Sequence, residues 1–116
     1  MGTTFQDASV ADLRFVTEQF QDNQSAIASL FDVDRSSVNR WLKGKDAPAM
    51  ENQVKIVALR LILIRLLQIF KPETSKKWLL GINAYLGNNR PIDLIKQKRF
   101  SEVLAAVEQA DAGSYA

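Results

Sequence analysis

Residues 54–70, VKIVALRLILIRLLQIF, constrain the fold more than any other stretch of the chain. After Lys55 its only polar residues are Arg60, Arg65 and Gln68. On a helical wheel those three fall within an arc of about 140°, which leaves ~220° apolar. A helix that covers one side of one core needs an apolar stripe of only about 100°. A helix over Glu51–Phe70 must therefore be covered on two sides, either within the chain or by a second copy. Leu59, Ile62, Leu63 and Leu66 are the candidate contacts of a homodimer. A membrane span is the rival use of such a stretch. It is short for a span, and two arginines near its middle would each cost several kcal/mol. Pro72 stops the helix.

Helices that could cover it flank it on both sides. Val10, Leu13, Val16 and Phe20 recur at helical spacing within residues 9–20, with Ser9 as a candidate N-cap and Phe15 off the stripe. Residues 24–44, QSAIASLFDVDRSSVNRWLKG, read as two short helices joined by a tight turn. The first spans about Ser25–Phe31, with Ala28 small enough for a close helix crossing. In the turn Asp32-Val33-Asp34, Asp32 suits the left-handed conformation. Asp34 is a good N-cap for the second helix and Gly44 a good residue just beyond its end.

That second helix carries two faces. Val38, Trp41 and Leu42 form an inward stripe at i, i+3 and i+4. Ser36, Asn39, Arg40 and Lys43 recur at i, i+3, i+4 and i+7 on the opposite side. Amides, hydroxyls and cations are the groups that bond base edges and phosphates in a DNA major groove. The expected DNA contacts are Arg35, Ser36, Ser37, Asn39, Arg40 and Lys43 in the groove. Gln24 and Ser25 would lie near phosphates at the start of the preceding helix. A plain helical hairpin with a solvated polar face is the alternative. Cations cluster accordingly: residues 34–46 hold Arg35, Arg40, Lys43 and Lys45, whereas residues 1–33 hold Arg14 alone.

After residues 43–52, a connector with Pro48 near the first turn of the next helix, comes the long helix. Beyond it Trp78 and Leu79 lead into Gly- and Asn-rich turns at residues 81–90. Pro91 opens a short helix, PIDLIKQ, with Leu94 and Ile95 inward. Phe100, Val103, Leu104 and Val107 mark a last amphipathic helix that ends near Ala110, followed by an exposed tail over residues 111–116. The expected architecture is all-α: a DNA-binding region over 1–50, a connecting and dimerising helix over 51–72, and a small helical domain over 73–116.

A hydrophobic content of 47% supports a packed core rather than disorder. With no Cys and no His, disulfides, thiol chemistry, histidine general bases and the usual zinc sites are excluded. No paired-carboxylate motif and no Gly-rich phosphate loop is present, so neither catalysis nor a cofactor is expected. MGTTFQDASV lacks a basic region followed by an apolar run, so the expected location is cytoplasmic.

The order Gln24, Ala28, Val33, Ser36, Val38, Trp41, Gly44, Pro48 resembles the helix-turn-helix of the Xre, phage-repressor-like, family. A second set resembles the C-terminal toxin-binding domain of Xre/MbcA/ParS-type antitoxins. It comprises Trp78, Leu79, Asn83, Leu86, Gly87, Pro91, Asp93, Leu94, Val103, Leu104, Val107, Gly113 and Tyr115. One departure is Gly81-Ile82-Asn83, where many relatives carry Pro before the Asn. The resemblance implies a type II antitoxin that is not an enzyme. Its partners would be a RES- or ParT-like NAD-dependent toxin and its own operator DNA. It would act as a homodimer, in a higher-order assembly with toxin. It implies that Asp111, Gly113, Ser114, Tyr115 and Ala116 reach the toxin's NAD site. The reading from another class is a stand-alone repressor whose C-terminal half only dimerises.

Overall fold

The computed structural model describes residues 5–113. Among them are seven α-helices: α1 Phe5–Glu18, α2 Gln24–Phe31, α3 Arg35–Leu42, α4 Met50–Ile69, α5 Pro72–Leu80, α6 Pro91–Lys96 and α7 Phe100–Gly113. A 3-10 turn covers Ala84–Leu86. The fold is all-helical; one isolated antiparallel bridge joins Asn83 and Asn89. The chain divides into two compact units, Met1–Arg60 and Leu61–Ala116, with the division inside α4 rather than at either end of it. Among the described residues no helix is long and apolar enough to cross a membrane.

In the first unit, α1 buries Leu13 and Val16, and Phe20 is buried in the turn that follows it. The helix begins four residues before Ser9, which therefore lies within α1 and does not cap it. Both α1 and α2 pack on α3. Phe31 and Trp41 meet edge to face with ring centroids 5.7 Å apart, a geometry worth about 0.5–1.5 kcal/mol beyond burial. The start of α4 closes the end of α2. Lys55 Nζ donates to the Leu30 carbonyl at 3.3 Å and Asn52 Nδ2 to the Phe31 carbonyl at 3.2 Å. The last carbonyls of a helix have no partner within it and carry its negative dipole end. Lys55 is buried because it answers both needs. Arg60 pairs with Asp12 at 3.0 Å, and its guanidinium lies over the Phe15 ring, which accounts for that off-stripe aromatic.

In the second unit α6 packs on α5 and on α7. Ile62, Leu63, Leu66, Leu79, Leu94, Ile95, Val103 and Val107 form its buried core. Each buried Leu or Ile contributes roughly 1.5–3 kcal/mol. α5 is a full helix of nine residues where the sequence suggested only a lead-in to turns. Pro72, which stops α4, also occupies the first turn of α5, where a missing N–H costs nothing.

The four residues assigned to a dimer contact have another use. Leu59, Ile62, Leu63 and Leu66 are 0–1% exposed within the single chain. The wide apolar surface of α4 packs within the chain's own cores. What α4 leaves exposed is Met50, Val54, Val57 and Leu61. Pro48 precedes α4 by two residues and its carbonyl accepts from Gln53 Nε2 at 2.8 Å, so it lies outside the helix's first turn.

Candidate functional site

The best-defined surface feature is the α2–turn–α3 unit, and local chemistry fixes each joint of it. Asn23 caps α2, its side chain accepting from the Ala26 amide at 3.3 Å. At the other end Asp32 is left-handed, with φ 57° and ψ 45°. Its amide donates to the Ser29 carbonyl and the Val33 amide to the Ala28 carbonyl, both at 3.1 Å. This pair of bonds is a Schellman closure with Asp where Gly is usual. Asp34 then caps α3 by accepting from the Ser37 amide at 2.9 Å, and it also accepts from the Ser36 hydroxyl at 2.8 Å. Those bonds, led by the one from Ser36, hold the Asp34 carboxyl below its ordinary pKa. α3 ends in a second Schellman closure at Gly44, φ 71°, where Lys45 N bonds to the Arg40 carbonyl and Gly44 N to that of Trp41.

Val38 and Trp41 are buried and Leu42 is half-buried, so α3 turns its apolar stripe inward. Arg35, Ser36, Asn39, Arg40 and Lys43 are exposed, and Ser37 is half-buried. Gln24 and Ser25, the first two residues of α2, are exposed as well. Arg35 Nη2 donates to Gln24 Oε1 at 2.9 Å, which joins the start of α2 to the start of α3. Arg40 approaches Asp46 at 3.7 Å, with both side chains about half exposed. Such a pair is worth 0–1 kcal/mol and releases its arginine readily. A cavity of about 180 Å³ lies among α1, α2 and α3, with buried Phe20, Ile27 and Val38 and exposed Gln24, Arg35 and Asn39 among its walls.

In the second unit the assigned tail residues divide. Asp111 and Gly113 belong to α7, which runs three residues past the expected end. Ser114, Tyr115 and Ala116 lie outside the described residues. Asp111 is not free, because Arg65 Nη2 donates to it at 2.7 Å. The same guanidinium donates to both oxygens of Glu108, at 2.9 and 2.8 Å, and to Gln68 Oε1 at 3.2 Å. Bonds to Glu108 first and Asp111 second raise the Arg65 pKa.

Two features escaped sequence reasoning. Ile82 and Tyr85 are 76% and 56% exposed on the turn before α6, and Tyr85 lines a cleft of about 450 Å³ together with Asn89, Arg99 and Glu102. Glycine and asparagine marked this segment as a turn; the exposure of its apolar side chains had no sequence signal. Arg90 and Asp93 form a bidentate pair at 2.9 Å over the first turn of α6, and Arg90 holds the Asp93 carboxyl below its ordinary pKa. The spacing i, i+3 could have revealed that pair. Among the described residues no cluster of acidic side chains could hold a metal.

Curated relatives match most of the chain. The mycobacterial cidal antitoxin MbcA of Mycobacterium tuberculosis is 22% identical over 89 residues, covering 77% of this chain and 79% of the relative. A probable mycobacterial cidal antitoxin of the same organism is 28% identical over 96 residues, covering 83% and 82%. The chain is similar to both over about four fifths of its length. No family profile and no solved structure matches it.

Proposed function

We propose that this chain is a type II antitoxin with two tasks. It binds and neutralises a RES- or ParT-like NAD-dependent toxin by occluding the active site, and it binds its own operator DNA as an autorepressor. The observation that carries the first task is the similarity to cidal antitoxins across 77–83% of the chain. That the toxin is of the RES or ParT type rests on the resemblance of residues 78–115 to the toxin-binding domain.

For inhibition, Gly113 ends α7, and Ser114, Tyr115 and Ala116 come next in sequence. Tyr115 supplies a flat ring of the size of a base or nicotinamide. The terminal carboxylate answers the cations that a dinucleotide pocket offers. Asp111 acts differently from the rest, because its carboxylate is already engaged by Arg65.

For DNA binding, the support is the exposed row Arg35, Ser36, Asn39, Arg40 and Lys43 on a helix whose opposite face is buried. Ser37, half-buried, stands at the groove's edge, and Gln24 and Ser25 at the start of α2 meet phosphates. Two copies on half-sites about one helical turn apart supply the specificity that one recognition helix lacks. Val54, Val57 and Leu61, exposed at i, i+3 and i+7 on α4, are the side chains available for that association.

The test is co-expression with the adjacent toxin, scored by growth, together with gel retardation on the chain's own promoter. Protection with retardation is the expected result. Retardation without protection identifies a stand-alone repressor instead, and protection without retardation removes the operator-binding half of the proposal.

A further inference from the structure

We propose that Arg65 is a positioning residue for inhibition. It supplies the cation that lets α7 continue to Gly113, and so fixes the helix end that precedes residues 114–116 in sequence. This rests on the reading of those residues as the inhibitory segment.

α7 is poorly equipped to end where it does. A helix favours cations in its last turn and disfavours anions there, because the unpaired carbonyls make that end negative. The last turn of α7 contains no basic residue, and it contains Asp111. Glu108 stands one turn earlier at i−3, on the same side, where like charges repel. The final residues Ala112 and Gly113 add no capping side chain, and Gly is a weak helix former. By its own sequence the helix should fray after Ala110.

Arg65 offsets all of this from another helix. Its Nε and Nη2 grip Glu108 at both oxygens, and Nη2 also reaches Asp111. Nη1 donates to Gln68, one turn along α4, which holds the guanidinium plane in place. One planar cation thus joins two carboxylates of successive turns to α4, a geometry for which a lysine point charge has no equivalent. The Leu66 side chain next to it in sequence is fully buried, so the base of Arg65 stands on a fixed part of α4. A frayed α7 would leave residues 111–113 unordered. Ordering such a segment on binding lowers affinity.

Four chains test this: wild type, Arg65→Gln, Arg65→Lys, and the exchange Arg65→Glu with Glu108→Arg. Deletion of residues 113–116 is a fifth. Amide hydrogen exchange at 110–113 and inhibition of the toxin's NAD turnover are read for each, with overall helix content as the folding control. In Arg65→Gln, protection at Asp111–Gly113 should fall and inhibition should weaken by about tenfold or more, at unchanged protection of the α7 core around Val103. Arg65→Lys should recover part of both effects, and the exchange should recover both further. If Arg65→Gln inhibits like wild type while the deletion does not, the role of Arg65 is overturned and the inhibitory segment stands. Unchanged exchange at Asp111–Gly113 in Arg65→Gln overturns it independently of any toxin. If the deletion itself inhibits fully, the reading of the segment fails, and with it the consequence drawn here for inhibition.

Discussion

Replacing Arg40 and Asn39 by alanine probes the recognition helix with little cost to the fold. Both side chains are exposed on α3, one turn face away from buried Trp41 and Val38. Exposed substitutions away from caps and ion-pair networks usually change stability by less than about 0.5 kcal/mol. Arg40 gives up only its 3.7 Å approach to Asp46, a half-exposed contact worth about 0–1 kcal/mol. On DNA the balance differs, because a side chain that reads a base edge is worth about 1–3 kcal/mol. That is a loss of roughly 5- to 160-fold in operator affinity for one copy. Two copies on two half-sites would double the free energy, to about 2–6 kcal/mol. Fluorescence anisotropy with labelled operator, at two salt concentrations, measures it. The salt slope should fall by about one for each phosphate contact removed. Toxin neutralisation should survive, since both substitutions lie in the first unit. Operator affinity within twofold of wild type for the double variant would refute the assignment of α3.

Removing the α2 cap with Asn23→Ala should destabilise the chain by about 1 kcal/mol in urea titration; no change would show that the Ala26 contact contributes nothing. Replacing left-handed Asp32 by Gly should stabilise it by roughly 0.5–1 kcal/mol in the same titration, since only the αL strain is relieved. Acid should destabilise through Asp34 and Asp93, whose folded pKa values lie below the ordinary carboxylate value. Their contribution is full above about pH 4 and is lost as pH falls through the lowered values. Asp93→Asn should therefore flatten the fall of urea midpoint in that range. Val57→Asp, on the exposed side of α4, should leave helix content unchanged and abolish association of copies in sedimentation, whereas Leu59→Ala should cost about 2–5 kcal/mol of stability instead.

The local signals of the first unit could be read residue by residue. Asp32 and Gly44 act through their own backbone geometry and Asp34 through its capping side chain, and each stands where its residue type suggested. α2 starts at Gln24, one residue before the expected Ser25, because Asn23 accepts the capping bond. Long-range causes were invisible. Lys55 sits among core positions because the Leu30 carbonyl, 25 residues earlier, receives it. α5 lacked a periodic signal because two of its buried residues, Ser75 and Lys76, are polar. The last turn of α7 depends on an arginine 46 residues away from Asp111. Lys98 adopts φ 63° at the close of α6, a left-handed conformation that no Gly or Asn announced. The breadth of α4's apolar surface foretold burial on two sides, but not that the chain would consume Leu59, Ile62, Leu63 and Leu66 itself.

The decisive measurement is NAD turnover by the cognate toxin with equimolar full-length chain or with a chain lacking residues 113–116. Deletion of those residues removes no buried side chain of the described core, so both chains should fold and both should retard operator DNA. The full-length chain should halt turnover and the shortened chain should leave it running. Turnover that continues in the presence of the full-length chain would contradict the antitoxin reading outright.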